Sequence, residues 1–172
     1  TDLGEEVWRE PVENYRSADR LAAEVERVLR RSPTPFCPSA ALPDVGSYVA
    51  REAAGTPILA VRADDGKVRA FRNVCRHRGM QLASGSGCAK AFVCGYHGWT
   101  YQLDGKLRHV PHPHGFPGLD KALHGLMPVK AEERLGLVFV TQDGPALSDG
   151  SLDELPVLIS PQQQLFATSE RV

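Results

Sequence analysis

Long hydrophobic runs are missing from this chain of 172 residues: no apolar stretch approaches the roughly 20 residues that a membrane-spanning helix needs. No secretory leader pattern opens the sequence either, although the first residue is Thr1 and a trimmed start is compatible with that. Cysteine is sparse. Four in the whole chain are too few for a disulfide scaffold and suit a reducing, cytoplasmic setting. Net charge is also lacking: twenty Lys plus Arg against twenty-one Asp plus Glu leave −1, so no nucleic-acid footprint shows at this level. The remainder is ordinary for a soluble globular protein, with 42% hydrophobic and 24% charged residues. The length fits one domain with appendages and is enough for a real core.

The near-zero total hides an uneven distribution. Residues 58–108 hold nine bases and three acids, a net charge of +6, whereas residues 1–57 and 109–172 are both acidic. Four of the six histidines, His97, His109, His112 and His114, fall between residues 97 and 114.

Along the chain, Ser17 caps an expected helix running to about Arg31, with Asp19 in its first turn. Leu21, Val25, Val28 and Leu29 give it one apolar stripe, which predicts packing on the domain or on a neighbouring subunit. Pro33 and Pro35 end it. Beyond Pro43 the pattern becomes strand-like. Ile58–Arg62 and Lys67–Arg72 flank the turn Asp64-Asp65-Gly66, and Trp99–Leu103 and Lys106–Val110 flank Asp104-Gly105. Ala91–Cys94 is another short strand, and Met127–Arg134 pairs with Leu137–Thr141 around Gly136. These hairpins predict an all-β dominated fold with a small N-terminal helix, an antiparallel sandwich or barrel. The expected divisions are an arm over 1–40, a β domain over 41–145 and a lead-in over 146–172 to something further.

The chemistry is concentrated in two mixed pairs, Cys75-Arg76-His77 and Cys94-Gly95-Tyr96-His97, separated by sixteen residues. Each lies at the end of a predicted strand. Two Cys and two His from two loops suit a zinc ion or a 2Fe-2S cluster in which two His replace two Cys on one iron. Two loops that both grip both irons must each mix one Cys with one His, whereas zinc ribbons usually supply like pairs. The mixture favours iron and leaves a non-redox zinc module as the alternative.

With Gly79 and Gly98-Trp99-Thr100-Tyr101 added, the two stretches resemble the Rieske motif, in the form found at the front of the large subunit of ring-hydroxylating oxygenases. The flanks Arg69–Val74 and Asp104–Leu107 share that style, and the resemblance spans roughly Tyr15 to Val172. It implies a Rieske-type antiparallel β sandwich or barrel with a cluster-binding two-loop subdomain. It also implies a 2Fe-2S cluster with Cys75 and Cys94 on one iron and His77 and His97 on the other. Around these, Arg78, Gly79, Tyr96, Trp99 and Tyr101 are expected to support the ligands, and Gly79, Gly95 and Gly98 to permit tight turns. By the same resemblance the chain carries electrons one at a time to a mononuclear ferrous centre in a catalytic domain beyond this sequence. The donor would be a ferredoxin or flavin reductase, and the acceptor the catalytic domain of the same or a neighbouring subunit in a homo-oligomer. Neither nucleic acid nor membrane is expected as a partner. A free-standing Rieske ferredoxin is the alternative, disfavoured by the helical arm and the unclosed tail. The basic third can steer an acidic donor and stabilise a reduced cluster.

His109, His112, His114 and His124 with Asp120 raise the question of a second iron site, since two His and one carboxylate form the oxygen-activating triad. Pro111, Pro113 and Pro117 make that stretch irregular, and surface or interface histidines are the expectation. Cys37 and Cys88 read as ordinary thiols, Cys88 in a Gly-rich loop near the cluster, and Trp8, Tyr15 and Phe36 as packing residues.

The resemblance also shows where this chain departs from the Rieske proteins of cytochrome bc-type complexes. Met80 and Tyr96 stand where those carry two further cysteines, so no disulfide links the loops, and Trp99 replaces a serine whose hydroxyl bonds a sulfur. Losing that donor stabilises the reduced cluster less. The midpoint potential should therefore lie near the low end of the Rieske span of about −150 to +300 mV. A redox titration placing it well above zero contradicts this.

Overall fold

The computed structural model describes residues 10–144. A short helix, α1 (Glu13–Arg16), precedes α2 (Ala18–Glu24), which widens into a π turn over Val25–Leu29. Strands follow in the order β1 (Thr34–Pro38), β2 (Ser47–Ala53), β3 (Thr56–Arg62), β4 (Val68–Arg72), β5 (Gly85–Cys88), β6 (Phe92–Val93), β7 (Thr100–Tyr101), β8 (Leu107–His109), β9 (Pro128–Arg134) and β10 (Leu137–Thr141). Seven of them form a sheet in the order β1-β10-β9-β4-β3-β2-β5, and β6-β7-β8 form a smaller one. Every pairing is antiparallel.

The three hairpins read from the sequence are present, and β2 with β3 adds another. Two of the connections are two-residue turns: Ala53 faces Thr56 across Ala54-Gly55, and Arg134 faces Leu137 across Leu135-Gly136. All four turn residues have φ between +46° and +75°, the signature of a turn whose twist matches that of paired strands.

β3 is the axis of the fold. Ile58, Leu59, Ala60 and Val61 are all fully buried, so both faces of this strand are covered. Because successive side chains point to opposite faces, the strand divides its residues between two cores. Ile58 and Ala60 join Phe36, Leu42, Val129, Val138 and Val140 on one side. Leu59 and Val61 join Phe71, Phe92, Trp99, Tyr101 and Leu107 on the other, which lies against the small sheet and includes Cys75 and Cys94. Full burial of each such aliphatic side chain contributes about 1.5–3 kcal/mol.

The fold departs from the sequence pattern in several places. Ser17 does cap a helix, its Oγ accepting from Arg20 N–H at 3.2 Å, but the apolar stripe does not pack on the described residues: Leu21 is 58% and Val28 51% exposed. Tyr15 is likewise exposed, while Phe36 is core and Trp8 lies outside the described residues. No sequence signal announces β1, β2 or β5. β1 hides between prolines that stop the helix, and it pairs with β10 inside the stretch assigned to the arm. β5 is glycine-rich and exposed, so Cys88 sits on an edge strand opposite Ser47 rather than in a loop. The lead-in over 146–172 lies outside the described residues.

Arg62 at the end of β3 ties the layers together. Its Nε donates to the Leu42 carbonyl at 2.6 Å, and its two terminal nitrogens meet both Glu133 carboxylate oxygens at 2.9 Å. That bidentate bond, helped by the charge of Arg62, holds the Glu133 carboxyl below its ordinary pKa against the opposing effect of burial. A carboxylate depressed on folding stabilises above its unfolded pKa of about 4.3, and the contribution fades as pH falls through the lower folded value. Glu133→Gln should thus lower the unfolding free energy by about 1 kcal/mol near pH 7. Denaturant titrations should show that deficit closing as pH drops below about 4.

Candidate metal centre

The loops after β4 and before β7 share one backbone closure. Cys75 N–H donates to the Met80 carbonyl at 2.8 Å while the Cys75 carbonyl accepts from Gly79 N–H at 2.9 Å. Cys94 N–H donates to the Trp99 carbonyl at 2.8 Å, and its carbonyl accepts from Gly98 N–H at 2.9 Å. Each loop is thereby folded back on its own cysteine. Gly79 and Gly98 occupy the same place in the two loops with φ of +73° and +69°, where any other residue would be strained. Gly95 has an ordinary φ and open space around it, so the expected need for glycine there is not seen.

The closure separates the cysteines from the histidines in depth. Cys75 and Cys94 are 2% and 3% exposed, set in the core between the sheets, whereas His77 is half-buried and His97 exposed. The two imidazoles lie 4.6 Å apart at 64°. All four predicted ligands are therefore brought to one place, sulfurs inside and nitrogens at the rim.

His77 Nδ1 tests the fit of a metal group directly. It is buried without a hydrogen-bond partner among the described atoms, a state that costs about 1–3 kcal/mol unless the lone pair meets something. Burial, and then the nearby His97 and Arg78, push the His77 pKa down, favouring the neutral imidazole that ligates metals. Burial pushes the Cys75 thiol up, the bond from Tyr101 opposing it; a bound cation offsets that cost by stabilising the thiolate.

Tyr101 supplies a directed donor. Its Oη accepts from Arg76 N–H at 2.9 Å, which leaves the phenolic proton to point at Cys75 Sγ, 3.3 Å away. Burial raises the Tyr101 pKa far above the ordinary value, so that proton stays in place. Trp99 stacks on His77 at 5.0 Å and 8°, Tyr96 stacks on His97 at 3.8 Å and 29°, and the Phe116 edge meets both His77 and Trp99. These contacts orient both imidazoles. The rings of His77, His97, Trp99 and Phe116, with Pro111 and His112, border an open cleft of about 440 Å³. Arg78 is exposed beside His77.

Two further contributors belong to no motif in the sequence. Asn73 is fully buried; its Oδ1 accepts from Leu82 and Ala83 N–H at 3.1 and 3.2 Å and its Nδ2 donates to the Ala83 carbonyl at 2.7 Å. It pins the chain returning from the first loop. An asparagine just past the strand and two residues before Cys75 is the signal that could have found it. Phe116 is delivered by the irregular stretch after β8 and has no local signal.

The remaining histidines do not assemble with Asp120. His109 is exposed on β8, His112 and His114 rings are 5.9 Å apart, and His124 Nδ1 bonds the Asp120 main-chain oxygen at 2.7 Å rather than its carboxylate.

The sequence pattern of the Rieske [2Fe-2S] domain matches residues 32–125. This chain belongs to the Rieske family. Its cofactor is accordingly a 2Fe-2S cluster. The carnitine monooxygenase oxygenase subunit of Escherichia coli K12 is 39% identical over 155 residues, 90% of this chain and 41% of that protein. The biphenyl 2,3-dioxygenase alpha subunit of Rhodococcus jostii is 37% identical over 125 residues, 72% of this chain and 27% of that protein. Among solved structures, the apo form of a quaternary ammonium Rieske monooxygenase superposes with a TM-score of 0.80 at 34% identity, covering 91% of this chain and 46% of that one. A naphthalene 1,2-dioxygenase superposes with a TM-score of 0.75 at 32% identity, covering 84% and 34%. The Rieske chain described here spans less than half the length of each of these four proteins.

Tyr101→Phe removes the hydroxyl that faces Cys75 Sγ while keeping the ring in the core. The reduced, more negative cluster loses the donor, so the midpoint potential should fall by roughly 40 mV, equivalent to about 1 kcal/mol for one electron. Voltammetry of the loaded protein reads the shift directly.

Proposed function

We propose that Cys75 and Cys94 bind one iron and His77 and His97 the other, and that this chain is the electron-transfer part of the oxygenase subunit of a Rieske non-haem iron oxygenase. The observation that carries the reading is the depth ordering of the two mixed loops, buried sulfurs and outward imidazoles, with the orphaned His77 Nδ1 between them. When bound, the cluster takes up and gives back a single electron.

The residues do the rest. The twin loop closures hold both cysteine sulfurs in a dry core, which keeps water from the sulfurs and fixes their separation. Trp99 and Tyr96 hold the imidazole planes, and the outer ring edges of His77 and His97 face the cleft, where a proton can be held or released beside the moving electron. The basic stretch 58–108, with exposed Arg76, Arg78 and Lys106, suits an acidic ferredoxin or flavin reductase as donor. The acceptor is a mononuclear ferrous centre in a catalytic domain of the same or a neighbouring subunit of a homo-oligomer. Similarity to a carnitine monooxygenase and to a biphenyl dioxygenase is almost equal, at 39% and 37%, so these residues do not select between a quaternary ammonium and an aromatic substrate. The two cysteines not assigned to iron, Cys37 and Cys88, form no disulfide, which supports a reducing, cytoplasmic location. Among the described residues, no helix is long and apolar enough to cross a membrane.

Protein purified without oxygen should be brown, hold about two irons and two acid-labile sulfides per chain, and give a rhombic EPR signal on reduction. Cys94→Ser and His97→Ala should each abolish that signal. A colourless preparation with one zinc per chain would overturn the assignment in favour of a non-redox module.

A further inference from the structure

Two stacked rings each carry a buried nitrogen with no hydrogen-bond partner among the described residues, and the two nitrogens are of opposite kind. His77 Nδ1, in the tautomer that ligates a metal, offers a lone pair. Trp99 Nε1 is a donor only and offers a proton. The rings lie 5.0 Å apart and 8° from parallel. Buried polar groups of a native fold are almost always paired. Iron meets the lone pair of His77, and the indole N–H needs an acceptor of its own.

On its outer side Trp99 meets no such acceptor among the described residues. The ring is 2% exposed, and although it borders the cleft, Nε1 itself is buried away from solvent. The Phe116 edge meets it at 5.6 Å and has no lone pair to give. His124 meets it at 6.1 Å and 72° and makes no hydrogen bond to it. On its inner side Trp99 touches one proposed ligand of each iron: its carbonyl accepts from Cys94 N–H at 2.8 Å, and its ring lies on His77. In the loaded protein those ligands hold two irons and the sulfides between them, and cluster sulfur accepts hydrogen bonds. We propose that the Trp99 indole N–H donates a hydrogen bond to a sulfide of the bound 2Fe-2S cluster. The reduced cluster is the more negative, so the bond strengthens as the electron arrives and raises the midpoint potential. No proton leaves the indole in either state. Trp99 then carries a donor of its own in place of the serine hydroxyl that this position lacks, and it acts beside Tyr101, whose proton points at Cys75 Sγ. The proposal rests on the assignment of the cluster to Cys75, His77, Cys94 and His97.

Redox titration and pulsed EPR of the cluster-loaded chain test it. In Trp8→Phe, Trp99 is the one tryptophan of the chain, so indole labelled with heavy nitrogen reports on it alone. The reduced protein should show a hyperfine coupling to that nitrogen, carried through the hydrogen bond. Trp99→Phe, which keeps an aromatic ring for His77 without the N–H, should bind the same iron and sulfide. So should a chain with Trp99 replaced by benzothienylalanine, which exchanges the N–H for sulfur at nearly the same shape. In each, the ratio of reduced to oxidised cluster at a fixed ambient potential should fall about fivefold, a drop of about 40 mV for one electron. His124→Ala should leave the potential unchanged. Absence of the nitrogen coupling in Trp8→Phe, or an unmoved potential in the iron-loaded isostere, overturns the proposal and leaves the cluster assignment standing. A shift of the same size in His124→Ala gives the indole proton to His124 and also overturns it. A colourless native chain overturns the cluster assignment itself, and this proposal with it.

Discussion

Everything at the candidate metal centre depends on one repeated constraint, the hydrogen bond that Cys75 and Cys94 each donate across their own loop to the fifth residue on. A loop closed in this way cannot swing, so its sulfur stays in the core while the histidine two or three positions later is carried to the surface. The closure requires a backbone that turns left-handed at Gly79 and Gly98. Those two glycines follow from geometry that any residue with a side chain would oppose.

The loops are steadied from beneath by elements far apart in sequence. β3 contributes Leu59 and Val61 to the core that receives the cysteines and Ile58 and Ala60 to the opposite core. Arg62 at its end reaches Leu42 and Glu133. Asn73, just past β4, anchors residues 82 and 83. The centre is thus held by a scaffold whose stability is spread over both sheets, while the ligand loops themselves contain almost no regular structure.

How much of this is legible in the sequence varies with the range of the interaction. The hairpins at Asp64–Gly66, Asp104-Gly105 and Gly136 are legible because turn chemistry is local. The four candidate ligand positions stand out for a related reason, since their spacing is a local consequence of two closed loops. β1 and β5 are not legible, because one lies among prolines and the other among glycines, and only pairing with β10 and β2 makes them strands. The helix stripe is present as a pattern, but among the described residues Leu21, Val28 and Leu29 stay exposed. Periodicity states which side chains want cover without naming what supplies it. Phe116 and Pro111 reach the cleft through tertiary folding alone.

The depth ordering of the four side chains has a consequence for access. With both sulfurs sealed between the sheets and both imidazoles at the rim, the two rings are the part of the candidate site that another surface can touch. Whatever docks against the cleft meets ring edge and nitrogen first, with sulfur out of reach behind them.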